Sequence, residues 1–329
     1  MNALERAWYK PGSWALLLSP LSWLFVKIIK KRRQRLTRRQ KRLKTPVVVV
    51  GNITVGGTGK TPLIIGLVNA LKQRGYKPGV VSRGYGGKSA FYPLEVRANS
   101  DPARTGDEPL LIAQTCGCPV VVDPDRLRAA RALEQQGCCD VILSDDGLQH
   151  YRLPRQMEIV VIDGERILGN GRCLPAGPLR EPVSRLEEVD FVVVNGGDAV
   201  LNHPRQYRMD LLPLGFRNLA SGESRDPKNP PGAGYVNAVA GIGNPARFAR
   251  TLASLGLAVK LYPFPDHHSF SRADFSFPDD RPVIMTAKDA VKCHGLSSEN
   301  LWVLDVAAKM ENNGMNTLIQ SIEALVTHS

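Results

Sequence analysis

Four consecutive valines at 47–50 run through Gly51-Asn52-Ile53 into Thr54-Val55-Gly56-Gly57-Thr58-Gly59-Lys60-Thr61. No other passage constrains the chain as tightly. A near-continuous β-branched run is a strand buried on both faces. The glycines then let backbone N–H groups converge on phosphate oxygens, and Pro62 suits the first turn of a helix whose N-terminus adds positive potential. In such a loop Lys60 reaches the β- and γ-phosphates of a nucleotide, and the Thr61 hydroxyl ligates Mg2+. A strand, phosphate loop and helix in this order require a parallel sheet covered by helices, so the class is α/β. The competing reading, a glycine-rich turn with an incidental lysine, does not account for the strand before it and the helix after it.

The loop departs from G-x4-G-K-[ST], because its first position is Thr54. The double glycine instead resembles the variant loop of the dimerising P-loop ATPases, whose extra lysine would fall at Val55 and is missing.

Downstream, short β-branched runs at 79–82, 120–122, 141–144, 159–162 and 191–194 alternate with helical stretches at 62–74, 108–115 and 125–136. Around 204–231 the character changes. Residues 207–218 read as extended, and 221–234 are rich in Pro, Gly and charge, as a surface loop is. A second α/β unit follows, with strands at 236–240 and 283–286 and helices at 245–255 and 313–326. The expected organisation is an N-terminal segment 1–44, a P-loop kinase lobe 45–205, and an extended linker with a smaller second α/β lobe over 206–329.

Charge is uneven. The 329 residues carry 43 Lys and Arg against 31 Asp and Glu, a formal +12, but 11 of those cations lie between Lys27 and Lys44 with no acid among them. Without them 32 cations face 31 acids, so a general nucleic-acid coat is not expected. Just upstream, Trp14, Leu17, Leu18, Leu21, Leu24, Phe25 and Ile28 recur at helical spacing, and the uncharged run 13–26 is 14 residues, short of the ~20 that cross a bilayer. Pro20 marks a kink or a break between two short helices. An apolar stripe followed by cations describes an interfacial anchor over 13–44 that lies on anionic lipid. The alternative is a helix docked on the protein's own core with a solvated basic tail. The six cysteines form no C-x2-C pair and read as reduced thiols of a cytosolic protein.

Two acidic pairs carry the remaining chemistry. Asp145 and Asp146 follow the run 141–144, where a P-loop fold places its metal-organising carboxylate, although a strand-to-loop turn also uses acids. Asp107-Glu108 precede a helical stretch, and spacing alone leaves them even with helix capping. Phosphoryl transfer to a hydroxyl needs one carboxylate to orient and deprotonate the acceptor. With Asp145 and Asp146 assigned to metal, Asp107 is the leading candidate. His267 and His268 lie in the second lobe; a lone histidine is more often structural than catalytic, but one that meets the first lobe's carboxylates could hold an acid/base pair on closure.

Taken together, VGNITVGGTGKTP, Ser82-Arg83-Gly84-Tyr85-Gly86-Gly87, Gly106-Asp107-Glu108-Pro109, Ser144-Asp145-Asp146-Gly147-Leu148-Gln149-His150, Gly169-Asn170-Gly171-Arg172, the run LPAGPLRE at 174–181 and Asp266-His267-His268 resemble the tetraacyldisaccharide 4′-kinase family, the lipid A 4′-kinases of Gram-negative bacteria. The resemblance covers the chain from its N-terminal anchor to about Lys292. It implies ATP-dependent phosphorylation of the 4′-hydroxyl of a lipid A disaccharide 1-phosphate, giving a bisphosphorylated precursor, with ATP and Mg2+ as cofactors. It also implies a peripheral position on the cytoplasmic face of the bacterial inner membrane, with no nucleic acid and no obligatory protein partner.

By this resemblance Asp107 matches the catalytic base and His267 its partner, Asp145 and Asp146 stand at the Walker B position, and Lys60 contacts phosphate. Arg83, Glu108, Arg126 and Arg180 fall in or near family motifs as candidate substrate contacts, although each arginine could equally be an ion-pair or surface group. One departure stands out: Ala287 lies in Thr286-Ala287-Lys288-Asp289, where the resemblance expects glutamate. Two other classes compete with the kinase. A P-loop switch or metallochaperone NTPase lacks support from any signature lysine or metal-binding tract, and a membrane scaffold with a vestigial loop does not need intact Lys60, Thr61 and two acidic pairs.

Overall fold

A computed structural model describes residues 3–327 apart from 233, 294 and 297. Residues 1, 2, 328 and 329, at the outer ends of the first and last expected segments, lie outside the described residues.

The strands are β1 Val47–Gly51, β2 Pro78–Ser82, β3 Leu94–Val96, β4 Val120–Val122, β5 Val141–Asp145, β6 Met157–Asp163, β7 Phe191–Asn195, β8 Gln206–Asn218, β9 Ser224–Arg225, β10 Tyr235–Ala240, β11 Ala258–Pro263, β12 Val283–Thr286 and β13 Leu301–Met310. The helices are α1 Ala3–Trp8, α2 Ser19–Thr37, α3 Lys60–Gln73, α4 Pro102–Thr105, α5 Asp107–Cys116, α6 Arg126–Gln136, α7 Pro245–Ser254, α8 Ala287–Ala290 and α9 Gly314–Thr327. All thirteen strands join one sheet in the order β11-β10-β12-β13-β8-β7-β6-β1-β5-β2-β4-β3, with β9 beside β8. Pairing is parallel except for β8 with β13, β8 with β9, and β3 with β4.

β8 explains how an α/β pattern of this length forms one sheet. It pairs parallel to β7 through 206–209 and antiparallel to β13 along nearly its whole length. The extended stretch expected around 207–218 is therefore the strand that joins the two halves of the sheet. Each half has its own cores. Val48, Val50, Leu63, Leu67 and Leu110 pack on one face of the first half, and Val47, Val49, Ile142 and Val160 on the other. Phe216, Val236, Phe248 and Trp302 form one core of the second half. On α3, Leu63, Ile64, Leu67, Val68 and Leu71 recur at three and four residues and are fully buried. Each contributes about 1.5–3 kcal/mol by leaving water, which holds the helix firmly behind the phosphate loop.

At the N-terminus a 3-10 turn over Trp14–Leu18 gives way to α2, with Pro20 in its first turn. Of the two outcomes proline allows, the break between helices is the one observed, because proline lacks only an N–H that a first turn leaves free. α2 docks through Ser22, whose hydroxyl donates to the Cys173 carbonyl at 2.5 Å and accepts from the Ala176 N–H at 3.0 Å. Phe25 and Val26 pack on the core beneath. The other side is apolar and exposed, with Leu17 at 81%, Trp23 at 63% and Ile28 at 57%. The stripe thus divides, Phe25 turning inward while Trp14, Leu17, Leu21, Leu24 and Ile28 face out. Among the described residues no helix is long and apolar enough to cross a membrane.

Candidate active site

β1, β5, β6 and β7 are parallel neighbours, so their C-terminal ends open on one edge of the sheet, the place where α/β folds bind ligands. The phosphate loop leaves β1 there. Gly59 closes it at φ +92, and a Cβ at that position would collide with the Asn195 amide. Asn195, the last residue of β7, donates from Nδ2 to the Thr58 carbonyl at 2.9 Å. Asn52 Nδ2 likewise donates to the Gly56 carbonyl at 3.2 Å, and the Val55 N–H donates to the Pro178 carbonyl at 2.9 Å. The loop is held from three sides before any nucleotide arrives. Lys60 and Thr61 open α3 behind it.

β5 delivers the first acidic pair. Asp145 is buried, and its Oδ2 accepts from the Ser82 hydroxyl at 3.1 Å, while its Oδ1 has no hydrogen-bond partner among the described residues. Burial, with Glu108 and Asp146 nearby, raises its pKa to about 7 despite Lys60. Asp146 adopts φ +48 and turns the other way, 3.5 Å from Lys60 Nζ and 3.2 Å from Arg180 Nη1. Burial opposes its ionisation, but Lys60 and Arg180 hold it below the usual carboxylate range. Asp146 is thus paired with two cations, whereas Asp145 forms no ion pair among the described residues. The Thr58 hydroxyl is also buried without a hydrogen-bond partner among the described residues.

This donor set fits a hard divalent ion. Among the described residues no three or more His, Cys, Asp or Glu side chains gather into a cage. Mg2+ takes one or two carboxylates and completes its shell with water and phosphate, and the free Asp145 Oδ1 offers one such ligand.

The second acidic pair opens α5. Gly106, at φ +84, lies so close to the loop at Gly84 and Tyr85 that a Cβ there would meet the Tyr85 carbonyl at 2.7 Å. Backbone pressed on backbone therefore sets where α5 starts, and Asp107 is its first residue. Both Asp107 oxygens face Nδ1 of His267, at 2.9 and 3.0 Å. His267 sits at φ +61 in the turn after β11, with the Tyr85 ring 4.8 Å away. Burial works against an ionised Asp107, but the His267 hydrogen bond, Lys288 and Lys292 hold its pKa below the usual value. The same hydrogen bond raises that of His267, against its burial. Next to it, Lys288 Nζ bridges Glu108 at 2.9 Å and Asp266 at 3.0 Å.

The second half closes the other flank of the loop as well. Arg247 Nη2 donates to the Asn195 carbonyl at 2.8 Å, and Arg166 Nη2 donates to the Gly243 carbonyl at 2.6 Å. Between these flanks lies a cavity of about 210 Å³ lined by Gly57–Thr61, Glu108, Asn195, Gly243, Arg247 and Lys288, among others.

Asp107 and His267 lie together on one flank, Lys60 and Asp146 together at the loop, and Asp145 beneath Ser82. The four candidate substrate contacts separate. Glu108 is committed to Lys288 and Arg180 to Asp146. Arg126 is buried, with Nη1 3.3 Å from the Asp123 carbonyl, and its burial lowers its pKa to about 10. Arg83 is exposed on the loop after β2. Ala287 lines the cavity next to Lys288.

Sequence reading passed over Asn195, Arg247, Lys288 and Lys292 as site residues. Asn195 had a usable signal, since it ends a buried run as Asp145 does. Lys288 lay in the segment Thr286-Ala287-Lys288-Asp289 already singled out, whereas Arg247 and Lys292 had no signal, because the contacts that bring them in are made between distant parts of the chain.

Behind the loop runs a buried polar frame. Gln149 Nε2 bridges the Asn52 carbonyl at 3.0 Å and Glu181 at 2.8 Å, and Arg185 joins Glu181 at 3.2 Å to Glu158 and Glu188. Arg33 of α2 pairs with Glu188 at 2.5 Å.

Residues 14–324 match the family described as tetraacyldisaccharide-1-P 4′-kinase. A tetraacyldisaccharide 4′-kinase of Alkalilimnicola ehrlichii is 52% identical over 316 residues, covering 94% of each chain. One from Hahella chejuensis is 49% identical over 318 residues, 94% of this chain and 93% of that one. The crystal structure of the "apo" form of LpxK from Aquifex aeolicus in complex with ATP is similar at a TM-score of 0.77 and 29% identity, covering 94% of this chain and 99% of that one.

Proposed function

The chain belongs to the tetraacyldisaccharide-1-P 4′-kinase family, and from that premise we propose how its own residues carry out the transfer. It is an ATP-dependent kinase that phosphorylates the 4′-hydroxyl of a tetraacylated glucosamine disaccharide 1-phosphate. The observation that carries the residue assignment is the contact of Asp107 with His267 on the flank of the phosphate loop.

In this reading the backbone of residues 54–61 cradles the β- and γ-phosphates, and Lys60 leaves Asp146 to neutralise them. Mg2+, held by Thr61 and the Asp145/Asp146 pair, supplies positive charge at the transferring phosphoryl group. The free Oδ1 of Asp145 supports that residue as the direct ligand, and the Lys60 and Arg180 contacts of Asp146 support a supporting role for it.

Asp107 accepts the proton of the sugar hydroxyl. His267 Nδ1–H orients the carboxylate and stabilises it as an anion, so it enters the reaction deprotonated. Lys288 keeps Glu108 and Asp266 beside it, and the second half excludes water that would otherwise take the phosphoryl group. Arg83, exposed on the loop after β2, is the arginine free to meet an anionic headgroup, while Arg126 is buried and Arg180 is engaged by Asp146.

We assign the segments 1–44, 45–205 and 206–329 to membrane contact, catalysis and closure respectively. The exposed Trp14, Leu17, Leu21, Trp23 and Leu24, followed by the basic run to Lys44, support α2 as an interfacial anchor on anionic lipid. This reading puts the enzyme on the cytoplasmic face of the inner membrane, where a lipid acceptor and ATP meet.

The test is transfer of the γ-phosphate from ATP to a tetraacyldisaccharide 1-phosphate in detergent. Wild-type transfer that collapses in Asp107→Ala, with ATP binding kept, is the expected result. A mutant that transfers at the wild-type rate removes Asp107 from the mechanism.

A further inference from the structure

Two motif runs, Gly169-Asn170-Gly171-Arg172 and 174–181, enter the mechanism only through Arg180. In the fold they form one tight turn between the N-terminal segment and the phosphate loop. The turn holds itself together. Asn170 Nδ2 donates to the Ala176 carbonyl at 2.8 Å, its Oδ1 accepts from the Arg172 N–H at 3.1 Å, and the Leu174 N–H donates to the Leu179 carbonyl at 2.9 Å. A Cβ at Gly177 would strike both Asn170 Oδ1 and the Arg172 carbonyl, so glycine is what lets the two limbs lie this close.

One limb lies along the phosphate loop. The Val55 N–H donates to the Pro178 carbonyl at 2.9 Å, the Arg180 N–H donates to the Ile53 carbonyl at 2.7 Å, and Thr54 stands antiparallel to Leu179. The other limb is gripped by the N-terminal segment. Trp8 is buried and donates from Nε1 to the Pro175 carbonyl at 2.9 Å, while its own carbonyl accepts from the Asn170 N–H at 3.0 Å. Ser22 of α2 bridges the Cys173 carbonyl and the Ala176 N–H.

The same elements also meet through apolar packing. Ala7, Trp8 and Ala15 form a small core of their own, and Val55 and Leu174 pack against it. Position 55 is where the dimerising P-loop ATPases carry an extra lysine. Here it is a valine packed on the N-terminal segment, so the phosphate loop touches that segment directly as well as through the turn.

We propose that Trp8 and Ser22 are positioning residues for the phosphate loop: through the turn 169–180 and through Val55 they hold residues 53–55 in the shape that receives ATP. Segment 1–44 then serves the nucleotide site with its inward face, whatever its outward face meets. A loop already held in its binding shape loses less freedom when the ligand arrives, and therefore binds it more tightly. The inference rests on the assignment of residues 54–61 to the phosphates of ATP, and not on the membrane reading.

The experiment titrates the full chain in detergent with ATP and Mg2+ by calorimetry, and measures kcat with KM for each substrate. Trp8→Ala removes ring and donor, Trp8→Phe removes the donor alone, Ser22→Ala removes the hydroxyl bridge, and Val55→Ala removes the packing from the loop side. Trp8→Ala should raise Kd and KM for ATP about five- to tenfold, the net worth of one hydrogen bond with the packing it anchors. Trp8→Phe and Ser22→Ala should give smaller rises, and KM for the lipid acceptor should stay at its wild-type value in all three. Leu17→Ser with Trp23→Ser, on the exposed face, should leave Kd for ATP unchanged. A merely structural role would lower the melting temperature and leave the ATP affinity of the folded protein alone. Trp8→Ala and Val55→Ala act through one contact, so the double variant should bind ATP about as the weaker single variant does. If Trp8→Ala does not fold, Trp8→Phe and Ser22→Ala carry the test. The proposal is overturned if these two bind ATP as wild type does, or if the losses multiply in the double variant. A wild-type chain that binds no ATP would overturn the phosphate-loop assignment itself, and the inference with it.

Discussion

On the β1 side of β8 the functional groups stand where buried parallel strands end, and on the β13 side they stand on turns. Asp145 ends a strand buried along its length, as does Asn195, while Lys60 and Thr61 open a helix whose inner stripe is fully buried. His267 sits in a turn at positive φ, and Lys288 in a four-residue helix. The first half therefore holds its groups by its own packing. The second half holds its groups by contacts with the first: His267 by Asp107, Lys288 by Glu108, and Arg247 by the Asn195 carbonyl. A site divided in this way can bind nucleotide on one side and complete its proton-accepting pair from the other.

If this division is right, substitutions on the two sides fail differently. Asp107→Ala removes the proposed base and should lower kcat by roughly 10²–10⁴-fold with ATP binding kept. His267→Ala removes only its orientation, so the fall should be smaller, about 10²-fold or less. Steady-state kinetics on both variants would reverse the comparison if His267 proved the costlier loss. Gly59→Ala tests the rigid side. A left-handed alanine costs about 1–2 kcal/mol, and its Cβ would strike the Asn195 amide. KM for ATP should therefore rise about tenfold or more, which nucleotide titration would measure.

The pH profile sharpens the same contact. Asp107 is held below its ordinary value, so the stabilisation it contributes is present above that value and is lost as pH falls through the lowered one. His267 is raised above 6.5, so its contribution is whole below 6.5 and is lost as pH rises through the raised value. The bond between the halves is thus strongest between these limits. In His267→Gln the acidic limb of kcat/KM should move to higher pH, because Asp107 loses the charged hydrogen bond that lowers it. An unmoved limb would detach the two residues.

The smallest effect is expected farthest from the cavity. Leu17→Ser with Trp23→Ser should weaken binding to anionic vesicles in a flotation assay while leaving ATP affinity unchanged. Undiminished vesicle binding would remove α2 from the membrane reading.

Much of the first half was legible because its evidence is local. A run such as residues 47–50 can only be a doubly buried strand, and the glycines after it can only serve a loop that approaches another group closely. The observed β1, β5, β6 and β7 lie where the β-branched runs place them, and α3 starts two residues before its expected start at Pro62. β11 and β13 were passed over. β11 has a half-exposed pattern, and the outer half of β13 alternates weakly because it pairs with β8 beyond the main core. Among the candidate residues, Arg180 and Glu108 were singled out, yet their partners Asp146 and Lys288 were not paired with them, since residues 34 and 180 positions apart carry no mutual signal.

The amino-acid order alone determined that the chain is α/β, that a glycine-rich loop from Thr54 to Thr61 joins a buried strand to a helix, and that cations gather beside an apolar helix. Periodicity, glycine content and charge runs act over a few residues, and these features need nothing more. Tertiary structure alone decided that β8 fuses both halves into one sheet, that among the described residues Asp145 forms no ion pair while Asp146 meets Lys60 and Arg180, and that the two flanks of the cavity close on Asp107 and Asn195. Burial and electrostatic pairing depend on distance through space, and distance through space is set only when strands far apart in the chain take their places in the sheet.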